Sequence, residues 1–317
     1  MRIINLIENT EGKAGCARAH GLSFYVETSG HKLLVDLGPS DEIIKNAEKL
    51  GIDLSQVDTV ILSHGHYDHS GGIKAFSRIN PSALIYMQKS ASDDHYADDG
   101  ESAGGNRYRY IGIDKDILNL PQVNMISGDY RIDDELEIFT LRKRTHKLPF
   151  TNKRILKKEN GKYVEDDFKH EQYLVIRDQG KRILMSGCAH NGVPNVLDAY
   201  KDKYESFPDA VISVFHLMKK VKYTKDEIEE LLKIGRELRK CPTMFYTCHC
   251  TGETAYRILK ITMGDQIRYV HSGDEVKIEK WDKDKERTQV FMKWHKFFAW
   301  ATVFCFVMTM MTGYEKK

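Results

Sequence analysis

Short β-branched and aliphatic runs open the chain. RIINLIEN, LSFYVET, HKLLVDLG and VDTVILS (Val57 to Ser63) each have the length and composition of a buried strand. DEIIKNAEKLGI (Asp41 to Ile52) repeats its apolar residues at helical spacing and contains a glycine stop, which predicts a helix. A second helix ends near Ile79, and ALIYMQ (Ala83 to Gln88) follows as a strand. VNMIS and LEIFTL read as strands. QYLVIRDQGKRILMS reads as a hairpin turning at Asp178, Gln179 and Gly180. TKDEIEELLKIGRELRK (Thr224 to Lys240) is an amphipathic helix with Thr224 as its N-cap and basic residues at its end. The pattern dissolves twice. Residues Ser90 to Ile113 read as an irregular loop, and Arg142 to Lys162 as a solvated, charged insertion. Two strand-rich halves, each with helices, predict an α/β (α+β) fold.

The end of the chain changes character. Phe297 to Tyr314 carries no charge and is flanked by Lys293, Lys296, Lys316 and Lys317. We divide the chain into a main α/β domain (1–282), a polar linker (283–296) and a C-terminal apolar helix (297–314). That helix reads as a membrane anchor or as an interface helix, which leaves a homo-oligomer open. With 30% charged residues and a formal net charge of +2, no global basic field argues for nucleic acid as a partner. MRIINLIENT is no secretory signal core, and three of the six cysteines lie in or beside metal-capable motifs. Reduced thiols in a cytoplasmic compartment are expected.

The most informative stretch is SHGHYDHSGG (Ser63 to Gly72), which sets His64, His66, Asp68 and His69 directly behind a strand. Side chains two apart on an extended chain face the same way, so His64 and His66 leave the strand together. One short segment cannot surround one tetrahedral ion with four such groups. It can give two ligands to one ion and two to a neighbour. Further on, KRILMSGCAHNG (Lys181 to Gly192) and FYTCHCTG (Phe245 to Gly252) are strands that end in His190 and His249.

These phrases, in this order, resemble the HxHxDH and later motifs of the metallo-β-lactamase superfamily. The resemblance covers roughly the first 280 residues. HKLLVDLGPS looks like the family's early strand ending in Asp-x-Gly, with Asp36 as the matching residue. SHGHYDHSGG, SGCAH, FHL and HCTG together look most like a subgroup of archaeal and bacterial hydrolase-like proteins. Some of its members are named dihydropterin ribofuranosyl-aminobenzene phosphate synthases. The resemblance implies an αββα sandwich and two divalent ions, zinc first, with manganese or iron as alternatives. It implies His64, His66, Asp68, His69, His190 and His249 as ligands, and Asp36 as a group that orients a ligand imidazole. Cys188 stands about where many members have a bridging Asp, as ligand or as near neighbour of His190. Ser213 and Val214 replace two glycines before FHL, so His216 reads either as a substrate contact or as a core histidine. The flavin-linked di-iron branch has Glu where His66 stands here.

The resemblance further implies a small-molecule substrate. Asp68 would hold the second ion and orient the nucleophile. Arg107 and Arg109, interleaved with Tyr108 and Tyr110, read as an anion clamp or as arginines meeting their own loop's aspartates. Three functions are open: a metal-dependent hydrolase of a small anionic ester or phosphoester, a transferase in pterin cofactor assembly, and a membrane-anchored binding protein without catalysis.

Overall fold

The computed structural model describes residues 1–12, 15–101 and 106–281. The apolar segment Phe297 to Tyr314 and the linker before it lie outside the described residues. Among the described residues, no helix is long and apolar enough to cross a membrane. Residues Met1–Lys280 form one unit, built as two large sheets with helices on their outer faces and a small third sheet.

The first sheet runs β1 (Arg2–Ile7), β2 (Ser23–Glu27), β3 (Lys32–Val35), β4 (Thr59–Ile61), β5 (Leu84–Gln88) and β8 (Val123–Ile126) in that order. β1 to β3 form an antiparallel meander, and β3, β4, β5 and β8 run parallel. Parallel neighbours need crossover connections. Helix α1 (Glu42–Lys49) lies between β3 and β4, and the short α2 (Tyr67–Ser70) and α3 (Ile73–Ile79) lie between β4 and β5. Leu34, Val60 and Ile85 of the strands pack with Ile43, Ile73 and Phe76 of these helices.

The second sheet is ordered β17 (Ile267–Tyr269), β16 (Met244–Thr247), β15 (Ala210–Ile212), β14 (Lys181–Met185), β13 (Tyr173–Asp178), β10 (Leu136–Phe139), β9 (Tyr130–Arg131). Strands β14 to β17 are parallel, and the rest are antiparallel. Val175, Leu184, Val211 and Phe245 pack with residues of α4 (Val193–Tyr204), α5 (Lys225–Leu238) and α6 (Glu253–Met263). Side chains alternate across a strand, yet Leu33, Val35, Ile61, Leu174, Ile176, Ile183 and Ile212, of the opposite parity, are buried too. Both faces of both sheets are therefore covered, which is the αββα arrangement. Gln172 joins the sheets: its Nε2 donates to the carbonyls of Leu62 and Tyr86 at 2.8 and 3.0 Å. The predicted helix at Thr224 is present with a full capping box between Thr224 and Glu227.

Two expectations are corrected. Ser90 to Ile113 is not irregular throughout, because it contains β6 (His95–Asp98) and β7 (Tyr108–Tyr110). The charged insertion likewise contains β11 (Ile155–Glu159) and ends where β12 (Lys162–Glu165) begins. The four strands pair as β12-β11-β6-β7. Their own core is only Ala97, Ile111, Ile155 and Phe168, so hydrophobic periodicity is nearly absent. Side-chain contacts over the sheet hold them instead: the ring of Tyr108 stacks on Tyr163 of the far edge strand at 3.9 Å, and Arg107 reaches Asp98 on the neighbouring strand.

Candidate metal centre

Ligand-type residues gather where the parallel strands end, the usual place for a site in such sheets. Asp36 follows β3. His64, His66, Asp68 and His69 follow β4. Cys188 and His190 follow β14, His216 follows β15, and Cys248, His249 and Cys250 follow β16. The strand ends approach closely because glycine allows it. A Cβ on Gly187 would stand 2.9 Å from the Cβ of Ser63 and 3.0 Å from Nδ1 of His64. Asp36, Ala189, His216 and His249 take positive φ of 60°, 40°, 48° and 48°, a conformation that side chains avoid unless packing imposes it.

The ligand atoms of His64, His66 and His190 lie within 4.8 Å of one another. So do those of His64, His69 and Cys188, and those of His20, Asp68, His249 and Cys250. Asp68 Oδ2 is 3.2 Å from Nε2 of His249, 3.5 Å from Nε2 of His20 and 3.9 Å from Nε2 of His69. Nε2 of His64 and Nε2 of His190 are buried with no hydrogen-bond partner, and Nε2 of His249 has none besides its approach to Asp68. An unpartnered buried polar atom is costly, at about 1–3 kcal/mol each, and a cation at each cluster would satisfy these atoms.

The opposite ring nitrogens fix which tautomer is present. Ser63 Oγ donates to Asp36 Oδ2, so Nδ1–H of His64 donates to Ser63 Oγ at 2.9 Å. Nδ1–H of His69 donates to Asp36 Oδ2 at 2.6 Å. Nδ1–H of His190 meets Asn152 Oδ1 at 3.1 Å, and Nδ1–H of His249 meets Asn9 Oδ1 at 2.7 Å. The rings of His64, His69 and His190 therefore turn a lone pair on Nε2 inward, the form a metal ligand needs, and His249 would do so on release of its Nε2 proton.

The match to known proteins agrees with this geometry. Residues 18–228 match the family model described as the metallo-beta-lactamase superfamily. The chain belongs to the metallo-β-lactamase superfamily. It is 30% identical to Tm1679, described as a metal-dependent hydrolase of the beta-lactamase superfamily. That match covers 88% of this chain and all of Tm1679, with a TM-score of 0.72. An uncharacterized protein of Methanocaldococcus jannaschii is 29% identical, over 84% of this chain and 96% of its own. The same organism's 7,8-dihydropterin-6-methyl-4-(beta-D-ribofuranosyl)-aminobenzene-5'-phosphate synthase is 26% identical, over 81% and 90%. Zn(2+)-bound PqqB from Methylobacterium extorquens shares the fold at 13% identity and a TM-score of 0.53. The metallo-β-lactamase fold binds divalent metals, and the His and Asp clusters of this chain fit such ions.

Electrostatics keeps this metallo-β-lactamase site ready for cations. Burial, followed by repulsion from the neighbouring imidazoles, pushes His64 well below the usual histidine range. The same two causes act on His190, so both rings stay neutral. Burial also lowers His66. Burial would raise Asp68, but His69, His249 and His20 hold it well below the carboxylate range. Burial would lower His249, but Cys250 and Asp68 lift it to about 10, so without an ion this ring is protonated beside Asp68 and gives up that proton when a metal binds. Burial pushes the Cys188 thiol well above its ordinary value.

The structure brings His64, His66, Asp68, His69, His190, His249, Cys188 and Asp36 together. Cys188 Sγ lies 3.3 Å from Nε2 of His69. His216 also reaches the site, its ring 4.0 Å from that of His190 and its Nδ1 3.1 Å from Thr151 Oγ1. The arginines are placed differently from a free clamp. Arg107 forks onto Asp98 at 2.9 and 2.8 Å, and Arg109 meets Asp99 at 2.7 Å. Arg109 also neighbours Tyr67, at the start of α2. Tyr110 spends its hydroxyl on the carbonyl of Ile113 at 2.9 Å. Sequence reasoning missed His20, Cys250, His95, Asp166 and His170. His20 has no motif around it. Cys250 stands in the quoted HCTG phrase and could have been weighed there. Asp166 and His170 lie in a segment that forms neither helix nor strand, where spacing carries no signal.

Proposed function

We propose that the chain is a two-metal hydrolase of a small anionic ester or phosphoester. The observation that carries this reading is the convergence of inward-facing imidazole lone pairs on two neighbouring points, with one carboxylate between three imidazoles. His64, His66 and His190 would hold one ion, and Asp68, His69 and His249 a second. Zinc suits this nitrogen and oxygen donor set, with manganese or iron as alternatives. Bound there, divalent ions supply a nucleophile at neutral pH and polarise the scissile group. Asp68 would hold its ion and align the attacking group. Asp36 fixes the His69 ring and, through Ser63, the His64 ring. Burial pushes His216 down to about 4, so it stays neutral and contacts substrate as a hydrogen-bond acceptor rather than as an acid.

A second reading, a transferase acting on a pterin, is favoured by the likeness to the Methanocaldococcus synthase. A panel of phosphoesters, carboxylic esters and lactones tests the first reading, with transfer to an acceptor nucleophile assayed in parallel. We expect hydrolysis that His66→Ala removes while the fold is retained. Product formed only with an acceptor present would favour the transferase.

A further inference from the structure

His66 belongs to two groups of ligand-type residues. One contains His64 and His190. The other contains His95, Asp166 and His170, all buried. By composition the second group resembles a third ion site. One hydrogen bond decides otherwise: the backbone N–H of Gly65 donates to Nδ1 of His170 at 3.0 Å. A backbone N–H can only donate, so Nδ1 holds the lone pair and the neutral ring carries its proton on Nε2. A protonated nitrogen is no metal ligand. That Nε2 lies instead 3.4 Å from Asp166 Oδ2. The same oxygen accepts Nδ1–H of His95 at 2.7 Å, which leaves the lone pair of His95 on Nε2. Nε2 of His95 and Nε2 of His66 are both buried without partners, and their rings stand 5.6 Å apart, edge to face.

We propose that His95, Asp166 and His170 form a buried positioning unit for His66. Asp166 sets the tautomer of His95, and His95 Nε2 accepts the N–H of His66 while the other nitrogen of His66 faces the ion. His170 pins the backbone between His64 and His66 through Gly65. A carboxylate relayed through an imidazole makes His66 a better donor and fixes its ring plane. The unit rests on the two-ion reading above.

The test is zinc titration of the full chain against a competing chelator, with the absorption spectrum of the cobalt-loaded protein and steady-state kinetics. Wild type should bind two ions. His95→Ala should still bind two at saturation, one of them about 10–100-fold more weakly. Its cobalt spectrum should shift, and kcat should fall more than KM rises. His95→Gln, whose amide oxygen accepts from His66, should restore much of the affinity. Asp166→Asn supplies the same comparison if His95→Ala does not fold. Three ions in wild type, one of them lost in His95→Ala, would overturn the proposal in favour of a third ion site. Two ions in wild type with unchanged affinity and spectrum in the folded variant would overturn the positioning unit alone. No ion in wild type would overturn the two-ion reading and this unit with it.

Discussion

Asp36 sits at the end of β3 with φ 60°, fully buried, and its carboxylate takes the backbone N–H of Ser63 at 2.7 Å, the hydroxyl of Ser63 at 2.7 Å and Nδ1–H of His69. Asn at this position could accept through only one atom, so at least one of these three bonds is lost. Asp36→Asn should weaken metal binding about 10–100-fold, as loss of a partner to a ligand imidazole does. Asp36→Ala should also destabilise the fold by about 1–3 kcal/mol, because buried donors are left unmet. Chelator competition and thermal unfolding separate the two effects. The residues that the structure gathers at the site were legible in the sequence because each sits in a short phrase at a strand end, where local pattern and chemistry coincide. Their partners were not. Asn152 serves His190 from 38 residues away, and Asn9 serves His249 from 240, and an asparagine carries no signal of what it will touch.

At the scale of elements, the small sheet β12-β11-β6-β7 shows the limit of periodicity. Its strands are polar and Tyr-rich, and Asp98 and Asp99 answer Arg107 and Arg109 across the register. The two arginines differ in what lies behind them. Arg107 meets Asp98 and Glu101, whereas Arg109 sits by Tyr67, one residue before Asp68. With an anionic substrate, Arg109→Ala should raise KM with little change in kcat, and Arg107→Ala should change neither. Equal effects of the two substitutions would count against this assignment.

A second element-scale link is His31, in the β2–β3 turn, which bonds Asp58 at 2.8 Å and Asp133 of the β9–β10 turn at 2.6 Å. Burial alone would lower its pKa, but the two carboxylates raise it above 6.5. The folded chain then holds a proton that the unfolded chain releases. The contribution is complete below about pH 6.5 and is lost as pH rises through the raised value. Denaturant unfolding across pH 6–9 should show stability falling over that window, and His31→Gln should flatten the fall.

Over the whole molecule, two sheets buried on both faces bring the ends of their parallel strands together, and the proposed two-ion centre occupies that junction. The αββα layering followed from the resemblance carried by four phrases, whereas the apolar pattern alone gave α/β or α+β. The pattern could not foresee how Glu8 closes the layers. It is fully buried and accepts from the backbone N–H of His249 at 2.8 Å and from Tyr269 at 3.2 Å, so the first and last strands of the unit meet at the site. The most direct test of the account is metal content together with activity. The protein is purified without chelator, stripped, and reloaded with zinc while bound ions and hydrolysis are followed side by side. The account predicts close to two ions per chain, hydrolysis that rises as the sites fill, and loss of both an ion and activity in His66→Ala. Full activity in the stripped protein, or a chain that takes up no ion on reloading, would contradict it.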